Sequence, residues 1–445
     1  MEKGKASALL PIGVFLAVFI GSGIIFHDFY AVPAIVGFLI ALVVAFLQNR
    51  KKSFAEKLNV AAAGMGNQNV MIMCLVFILA GAFSGTAQAA GGVSSVVNFA
   101  LSIMPPGIAV AGLFVIASFI SLSMGTSVGT IAALVPIAVG ISQRTGLMGA
   151  LCVGAVVSGA MFGDNLSMIS DTTIAATRTQ GCDMKDKFRE NFKIVLPAAI
   201  VTFVIFIVMT MNVSVEVSGP FEYDFLKIIP YLAVLVSALC GLNVVIVLVL
   251  GIALSLGVGL FTGTILPAQM FSVIAGGENG SGGIFGMYDI TVISILVAGI
   301  IGLVKENGGI DFILHSIRRV VKTKKGAQLG VALLSSAVDI STANNTVAIV
   351  IAGPIAKDIS DEFGVEPRRT AALLDIFTSV WQGILPYGAQ LLYASAGAAA
   401  VGLALTPIDI IPFLFYPILM GVSALIWILL GIGEGKKRRK NHEIS

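Results

Sequence analysis

The chain has 445 residues, of which 57% are hydrophobic and only 11% are charged, and its formal net charge is +3. Its mean hydropathy is +0.98. Because soluble domains carry about 25% charged residues, this composition excludes a soluble globular protein and predicts an all-α polytopic membrane protein surrounded by the lipid bilayer. The small net charge argues against nucleic acid as a partner. The four cysteines lie far apart without the spacing of a metal site, and we expect no cofactor.

The apolar runs set the number of crossings and the topology. At about 20 apolar residues per crossing, they allow roughly eleven to thirteen spans in a single integral domain over residues 1–445. The first two runs, Leu9–Phe26 and Phe29–Leu47, lead to the basic segment Asn49-Arg50-Lys51-Lys52, which is typical of a cytoplasmic loop. The basic C-terminal segment at 436–440 lies on the same side if the number of crossings is even. We therefore expect a multi-pass protein of the cell (plasma) membrane with both termini in the cytoplasm. The same rule places four further basic residues on the cytoplasmic side: Arg178, Lys185, Lys187 and Arg189.

A polar segment interrupts the apolar run Gly107–Ile141, which is too long for one ordinary crossing. We interpret this run as one broken helix with hydroxyl groups at its break. Ser123, Thr126 and Ser127 offer oxygen atoms of the kind that hard cations prefer, so we predict that they bind an ion or a proton. The alternative is that these hydroxyls bond to the preceding helical turn, as membrane Ser and Thr commonly do.

The second half of the chain repeats this pattern at a nearly constant spacing of about 218 residues. We predict two repeats, about Met71–Thr177 and Thr291–Gly402, each with a re-entrant hairpin or interfacial helix followed by a broken helix. The basic segment at 318–325 has no basic counterpart at 102–107, which indicates that the repeats are inverted in the membrane.

The break in the second repeat is rich in amides and hydroxyls. Amides both donate and accept hydrogen bonds, and the N-terminus of the following half-helix attracts anions. We therefore predict that this segment binds substrate through five residues: Ser341, Thr342, Asn344, Asn345 and Thr346.

Two carboxylates stand in the polar segment Gly163–Thr173, directly after an apolar run. A carboxylate at membrane depth costs roughly 2.5–3.5 kcal/mol and is tolerated where it faces a protein interior or a wet cavity. We predict a coupling-ion site for sodium or a proton, formed by Asp164, Asn165, Ser167, Asp171 and Thr172. As an alternative, Asp171 caps a helix that begins at Thr172.

Other polar residues lie in or near apolar runs of the second half. Asp339 and Asp375 are either proton carriers or partners of buried hydroxyls. Gln382 and Gln390 align with the region of Gly163 at a spacing of about 225 residues, which places Ala389 opposite Asp164.

Two motifs resemble those of a known family. Gly163–Thr173 resembles the hallmark of NhaC-type sodium/proton antiporters, and Met124–Thr130 resembles their Gly-Thr-Ser-x-Gly-Thr segment. The overall plan resembles the wider ion transporter superfamily, whose members carry organic anions on loops similar to Ser341–Thr346. The resemblance implies a secondary active transporter that works by alternating access and exchanges Na⁺ for H⁺. The alternative is a Na⁺- or H⁺-coupled transporter of an amino acid or organic carboxylate.

Two other classes of protein are alternatives to a transporter. Tyr288-Asp289 and Gly163-Asp164 faintly resemble intramembrane aspartyl proteases, but their order is reversed and the glycine pattern is incomplete, so we expect no enzyme. A channel is disfavoured because inverted repeats with broken helices imply alternating access. The expected partners are the bilayer, a small cation, a small organic solute under the alternative, and a second copy of the chain in a homodimer.

Overall fold

The computed structural model describes residues 4–26, 33–103, 105–168, 170–211, 221–240, 242–276, 283–318 and 322–432. The basic segment at 436–440 and the side chain of Ser123 fall outside this description, as does part of the basic segment at 318–325. The cytoplasmic location of both termini therefore stays a prediction.

Across these ranges the chain forms helices and no strand, which confirms the all-α fold class. The helices of the first half are α1 Leu10–Phe26, α2 Ala34–Leu47, α3 Phe54–Met65, α4 Gln68–Ala89, α5 Gly92–Ile103, α6 Pro106–Met124, α7 Ser127–Thr145, α8 Gly149–Leu166, α9 Asp171–Gln180 and α10 Met184–Thr210. Those of the second half are α11 Phe225–Leu239, α12 Val244–Thr262, α13 Met270–Ala275, α14 Tyr288–Glu306, α15 Gly309–Arg318, α16 Lys324–Thr342, α17 Asn345–Phe363, α18 Pro367–Ile384, α19 Ala389–Ala400, α20 Pro407–Ile410 and α21 Phe415–Leu430. Short 3₁₀ turns lie at Ala6–Leu9, Pro267–Gln269, Phe285–Met287 and Ile411–Phe413.

Many of these helices are long and apolar enough to cross a membrane. In the described ranges, 6 helices meet that test alone, and the number rises to 8 if each of two bent pairs forms one span. One bent pair joins α5 to α6 at an angle of 116°, at the place where the sequence predicts a re-entrant hairpin. The expected eleven to thirteen spans are reached only if the three shorter apolar helices, at 6–19, 35–47 and 225–237, cross as well.

Helix lengths in the two halves correspond closely. α6 and α16 are both 19 residues long, α7 and α17 are both 19, and α8 and α18 are both 18. Each pair begins at a spacing of about 218 residues. Since α9 begins at Asp171 and α19 begins at Ala389, Ala389 corresponds to Asp171, and Gln382 corresponds to Asp164. The alignment at about 225 residues is therefore wrong. The bounds and the inversion of the repeats stay predictions.

Glycines bring α8 directly against α6. A Cβ atom at Gly159 would lie 2.2 Å from the carbonyl oxygen of Phe114, and one at Gly163 would lie 2.2 Å from that of Ser118. Small residues at this spacing let the backbones of membrane helices approach closely. This contact fixes the C-terminal end of α8, which carries Asp164, beside the break that follows α6.

Candidate functional site

The two predicted helix breaks are present and have the same construction. After α6, Gly125 adopts the left-handed conformation with φ 67°, and Thr126 caps α7 by accepting a hydrogen bond from the N–H of Gly129 at 3.4 Å. After α16, Ala343 adopts φ 47°, and the Asn344 Oδ1 accepts from the N–H of Val347 at 3.0 Å. A left-handed alanine is strained, and such residues cluster at functional sites. Each break is thus a single left-handed residue followed by a polar cap, and only the alanine is strained.

A third break separates α8 from α9. The Ser167 Oγ donates to the carbonyl oxygen of Leu122 at 2.8 Å and ties this break to α6. Ser170 is the residue before α9, and Asp171 is its first residue. Asp171 is therefore not the cap of a helix that begins at Thr172. Its Oδ1 accepts from the adjacent N–H of Thr172 at 2.9 Å, so one carboxylate oxygen is still used at the helix start.

The two predicted breaks, and Asp164 and Asp171 on either side of the third, line one cavity of about 250 Å³. Seven of the predicted site residues line it: Thr126, Ser127, Asp164, Asp171, Asn344, Asn345 and Thr346. The lining also includes Gln382, Ala389 and Gln390 from the second half, with Ile72, Val76 and Val244 among the apolar residues. No lysine or arginine is found among the described lining residues. The cavity therefore joins both halves of the chain and presents carboxylates without a compensating cation.

Asp164 is held by hydrogen bonds from two of the breaks. Its Oδ2 accepts from the backbone N–H of Ser127 at 3.1 Å and from the Ser127 Oγ at 2.7 Å. Its Oδ1 accepts from the Ser170 Oγ at 2.7 Å. An ionised carboxylate is an acceptor at both oxygens, so these donors suit the charged form. The group is only 7% exposed, and these donors stabilise its charged form.

Two glutamines of the second half extend this network. The Gln390 Nε2 donates to the Ser127 Oγ at 3.1 Å, and the Gln382 Nε2 donates to the Gln390 Oε1 at 2.7 Å. The Gln382 Oε1 has no partner in the part of the chain that the structure describes. The sequence singles out both residues but gives them no role. The spacing of the helix starts would have shown that Gln382 corresponds to Asp164.

Asp171 connects α9 to the break of the second repeat. The Thr346 Oγ1 donates to the Asp171 Oδ2 at 2.7 Å, and the N–H of Thr346 donates to the Asn345 Oδ1 at 3.0 Å. Asp171 is thus bound directly across the two halves, whereas Asp164 reaches the second half through Ser127 and Gln390.

Several predicted residues do not line the cavity. The Ser341 Oγ bonds to the carbonyl oxygen of Ala337 at 2.7 Å, and the Thr342 Oγ1 bonds to that of Asn344 at 3.3 Å. Both residues lie in the last turn of α16, and their hydroxyl groups bond to nearby backbone carbonyl oxygens instead of lining the cavity. Asp339 is fully buried, and neither of its carboxylate oxygens has a partner among the described residues.

The Thr172 Oγ1 lies 2.9 Å from the Ser170 Oγ. Asn165 and Asp375 belong to a polar cluster behind the cavity, which is organised around Lys187. The Lys187 Nζ donates to the carbonyl oxygen of Asn165 at 3.1 Å and to the Thr173 Oγ1 at 2.9 Å, and it forms an ion pair with the Asp375 Oδ2. The side chains of Lys187 and Asp375 are 1% and 0% exposed. Lys187 therefore lies on a buried face of α10 and not in an exposed loop. Its location on the cytoplasmic side stays a prediction.

The sequence contains a signal for this burial. Lys187, Glu190, Asn191 and Ile194 follow the helical spacing of a single face, and all four are buried. Several basic residues lie around Lys187, so the rule that assigns basic clusters to the cytoplasm treats them alike. That rule does not consider which face of the helix each residue occupies.

Comparison with known proteins gives consistent results. The profile of the Na⁺/H⁺ antiporter family matches residues 5–211 and 210–432. The chain is 25% identical over 466 residues to a Na⁺/H⁺ antiporter NhaC of Alkalihalophilus pseudofirmus, covering 98% of each protein. It is 23% identical to a malate-2H⁺/Na⁺-lactate antiporter of Bacillus subtilis, covering 88% of this chain and 89% of that protein. It is also 23% identical to the arginine/ornithine antiporter ArcD of Halobacterium salinarum, covering 86% of this chain and 83% of that protein.

Proposed function

The chain belongs to the Na⁺/H⁺ antiporter family, and from this premise we propose that it exchanges sodium ions for protons across the cell membrane. It is a multi-pass secondary active transporter, as the two motifs predict. The observation that carries the sodium/proton proposal is the convergence of Asp164 and Asp171 with the oxygen atoms of both broken helices in one cavity.

Exchange follows from competition at Asp164. A sodium ion prefers hard oxygen ligands, and the cavity offers carboxylate, hydroxyl and amide oxygens. The same carboxylate binds a proton when sodium is absent, so the two ions exclude each other without ever occupying the site together. In this proposal Ser127, Thr126 and Asp171 complete the oxygen environment of the cation, and Asn344 and Asn345 supply amide oxygens from the second half.

The organic-solute alternative is not favoured. A solute carboxylate that entered the cavity would meet two carboxylates and no basic side chain among the described lining residues. Like charges at close range disfavour binding. Two similar proteins are named for organic substrates, so the experiments below include an organic-solute outcome.

The remaining predictions are retained as proposals. We propose that the protein performs no catalysis, needs no cofactor beyond Na⁺ and H⁺ as coupling ions, and lies in the plasma membrane with both termini in the cytoplasm. The homodimer stays a prediction.

Replacing Asp164 with asparagine tests the function. Asp164→Asn keeps the size of the side chain and most of its hydrogen bonding but removes the ionisable group. We expect a folded protein that no longer moves protons in response to a sodium gradient. Proteoliposomes with a trapped pH-sensitive dye report the proton movement, and thermal unfolding in detergent reports the fold.

The matched control is Asp358→Asn, because Asp358 is an exposed residue of α17 that does not line the cavity. This control should exchange at the rate of the original protein. If Asp164→Asn keeps the same sodium and pH dependence, Asp164 is not the exchange site and the proposal fails.

A further inference from the structure

The two glutamines of the cavity have no part in the proposed exchange of ions. Gln382 lies in the last turn of α18, and Gln390 is the second residue of α19. Both residues line the cavity, and both side chains are almost fully buried. A buried amide is costly unless it is hydrogen-bonded. Two of them beside a cation site therefore call for an explanation in terms of that site.

The charge of Asp164 fixes the direction of the hydrogen bonds that lead to the glutamines. An ionised carboxylate only accepts, so the Ser127 hydroxyl donates its single hydrogen to the Asp164 Oδ2 at 2.7 Å. The Ser127 Oγ then accepts from its other neighbour, the Gln390 Nε2, at 3.1 Å. The amide oxygen of Gln390 consequently faces away from Ser127 and accepts from the Gln382 Nε2 at 2.7 Å. All three bonds therefore run from Gln382 toward Asp164.

This chain of hydrogen bonds determines how Ser127 presents its oxygen to a cation. A hydroxyl oxygen has two lone pairs, of which Gln390 occupies one, so a single lone pair remains for a cation. Hydrogen bonds that run in one direction polarise and strengthen one another. Without the amide of Gln390, the hydroxyl loses one of the two contacts that fix its orientation and turns more readily toward other acceptors. Its oxygen is then offered to the cation for only part of the time.

The correspondence of the two halves explains why this chain ends in an amide. Gln382 corresponds to Asp164 at the spacing of about 218 residues. Gly388 corresponds in the same way to Ser170, whose hydroxyl donates to Asp164. Since Gly388 has no side chain to donate, Gln382 finds its partner in Gln390 instead. The second half thus places a neutral amide where the first has a carboxylate, and this amide is bonded toward the carboxylate.

We propose that Gln390 and Gln382 are positioning residues, which set the affinity of the cavity for sodium by fixing the orientation of the Ser127 hydroxyl. This inference rests on the proposed sodium/proton exchange, to which it adds the residues that hold one of the cation ligands. Gln390 acts through Ser127, and Gln382 acts through Gln390, so neither glutamine binds the cation. The second half of the chain therefore controls a ligand that the first half supplies.

Gln390→Met tests this role, because methionine has a similar length to glutamine but no amide group. We expect the KM for sodium in proteoliposomes to rise by about tenfold, as for loss of one hydrogen bond in a charged network. The maximal rate should change by less than about twofold, since the ground state and the transition state lose the same interaction. The thermal shift caused by NaCl, relative to an equal concentration of KCl, should fall as well. Gln382→Met should raise the KM by a smaller factor of about three, because it acts at one bond's remove.

A double-mutant cycle with Ser127 separates positioning from direct binding. Ser127→Ala removes the hydroxyl but keeps the backbone N–H that donates to Asp164 at 3.1 Å. If Gln390 acts only through the hydroxyl, adding Gln390→Met to Ser127→Ala leaves the KM for sodium unchanged. If the two changes instead multiply, Gln390 either contacts the cation itself or supports the fold, and the inference is overturned.

Gln180→Met is the matched control. Gln180 is also a buried glutamine, and its Nε2 donates to the carbonyl oxygen of Gly353 at 2.9 Å, but it does not line the cavity. This variant should keep the KM of the original protein for sodium. An equal rise in KM for Gln180→Met and Gln390→Met would attribute the effect to the loss of any buried amide and would refute the positioning role.

A second variant serves if Gln390→Met fails to fold. Gln382→Met/Gln390→Met removes both amides together, so that neither is left unpaired. It should fold and show the tenfold rise in KM, and an unchanged KM would overturn the inference.

The original protein is measured first in both assays, which distinguishes the two proposals. If it shows neither exchange nor a sodium-specific thermal shift, the proposed function fails, and the inference fails with it. If it binds sodium without exchange, only the proposed function fails, and the cycle is completed with the thermal shift as its readout. An original protein that exchanges, together with an unchanged KM in Gln390→Met, overturns only the positioning role.

Discussion

At the scale of single residues, several buried charges have an identifiable partner, and Arg369 is one of them. Arg369 is buried, although the pattern of basic residues alone would place it in a loop. Its Nη1 donates to the Glu190 Oε1 at 2.7 Å, its Nε donates to the Gln328 Oε1 at 3.0 Å, and its guanidinium carbon lies 5.6 Å from the centroid of the Trp427 ring. Arginine suits such a site because its planar fork binds several acceptors at once.

This arrangement predicts a strong effect on stability. Arg369→Met leaves the Glu190 carboxylate buried without its partner, which should lower the free energy of unfolding by about 3–5 kcal/mol. Chemical or thermal unfolding in detergent measures the change. The neighbouring Arg368 is the control, because it pairs with Glu366 at the surface and is 45% exposed. Arg368→Met should change the stability by less than about 1 kcal/mol. Equal effects of the two variants would contradict this description of Arg369.

Sequence reasoning succeeds for the carboxylates and fails for the buried cations. Asp164 and Asp171 stand in an apolar context where a carboxylate is costly, so their positions alone indicate a cavity. Lys187 and Arg369 lie close to other basic residues, and the rule that assigns basic clusters to loops conceals them. Their partners, Asp375 and Glu190, are far from them in sequence, and only the packing of α10 against α18 brings each pair together.

At the scale of helices, the close contact between α6 and α8 positions the site. Gly159 faces the carbonyl oxygen of Phe114 and the Cβ atom of Ala117, so an added methyl group forces the two helices apart. Asp164 lies just over one turn further along α8 and depends on this contact for its place beside Ser127.

We therefore predict that Gly159→Ala destabilises the protein by about 1–3 kcal/mol through overpacking and reduces exchange. Thermal unfolding and the proteoliposome assay measure the two effects. Gly257→Ala on α12 is the control, because no atom lies within 4 Å of its added Cβ. The control should be neutral or more stable by up to about 1 kcal/mol, since alanine is the better helix former. If Gly159→Ala matches Gly257→Ala in stability and exchange, α6 and α8 can move apart without harm, and their close contact does not position the site.

The helix breaks can be predicted from the sequence. Which residue of one half corresponds to which residue of the other can be decided only from the first residues of the helices. Glycine, serine and threonine within apolar runs mark both breaks, because these residues suit turns and caps. The alignment at about 225 residues fails because it follows polar residues instead of helix lengths. Once α9 and α19 are aligned by their first residues, Ala389 stands where Asp171 does. The two halves thus share their backbone plan but not their charges.

At the scale of the whole molecule, both halves contribute to a single cavity. The first half supplies Asp164 and Asp171, and the second supplies the amides of Asn344 and Asn345 with the glutamine pair. Composition, motifs and repeated breaks predict this plan from the sequence. The polar cluster behind the cavity is not predictable in the same way, because its contacts join α8, α9, α10 and α18 through side chains that no local pattern connects.

The most direct test of sodium/proton exchange uses the original protein without any organic solute. Proteoliposomes are loaded with acidic buffer and a pH-sensitive dye, and NaCl or KCl is then added outside. We predict that NaCl raises the internal pH because entering sodium drives protons out, and that KCl at the same concentration does not. An internal pH that stays constant with NaCl, and changes only when malate, lactate or an amino acid is supplied, would contradict sodium/proton exchange and identify an organic-solute transporter.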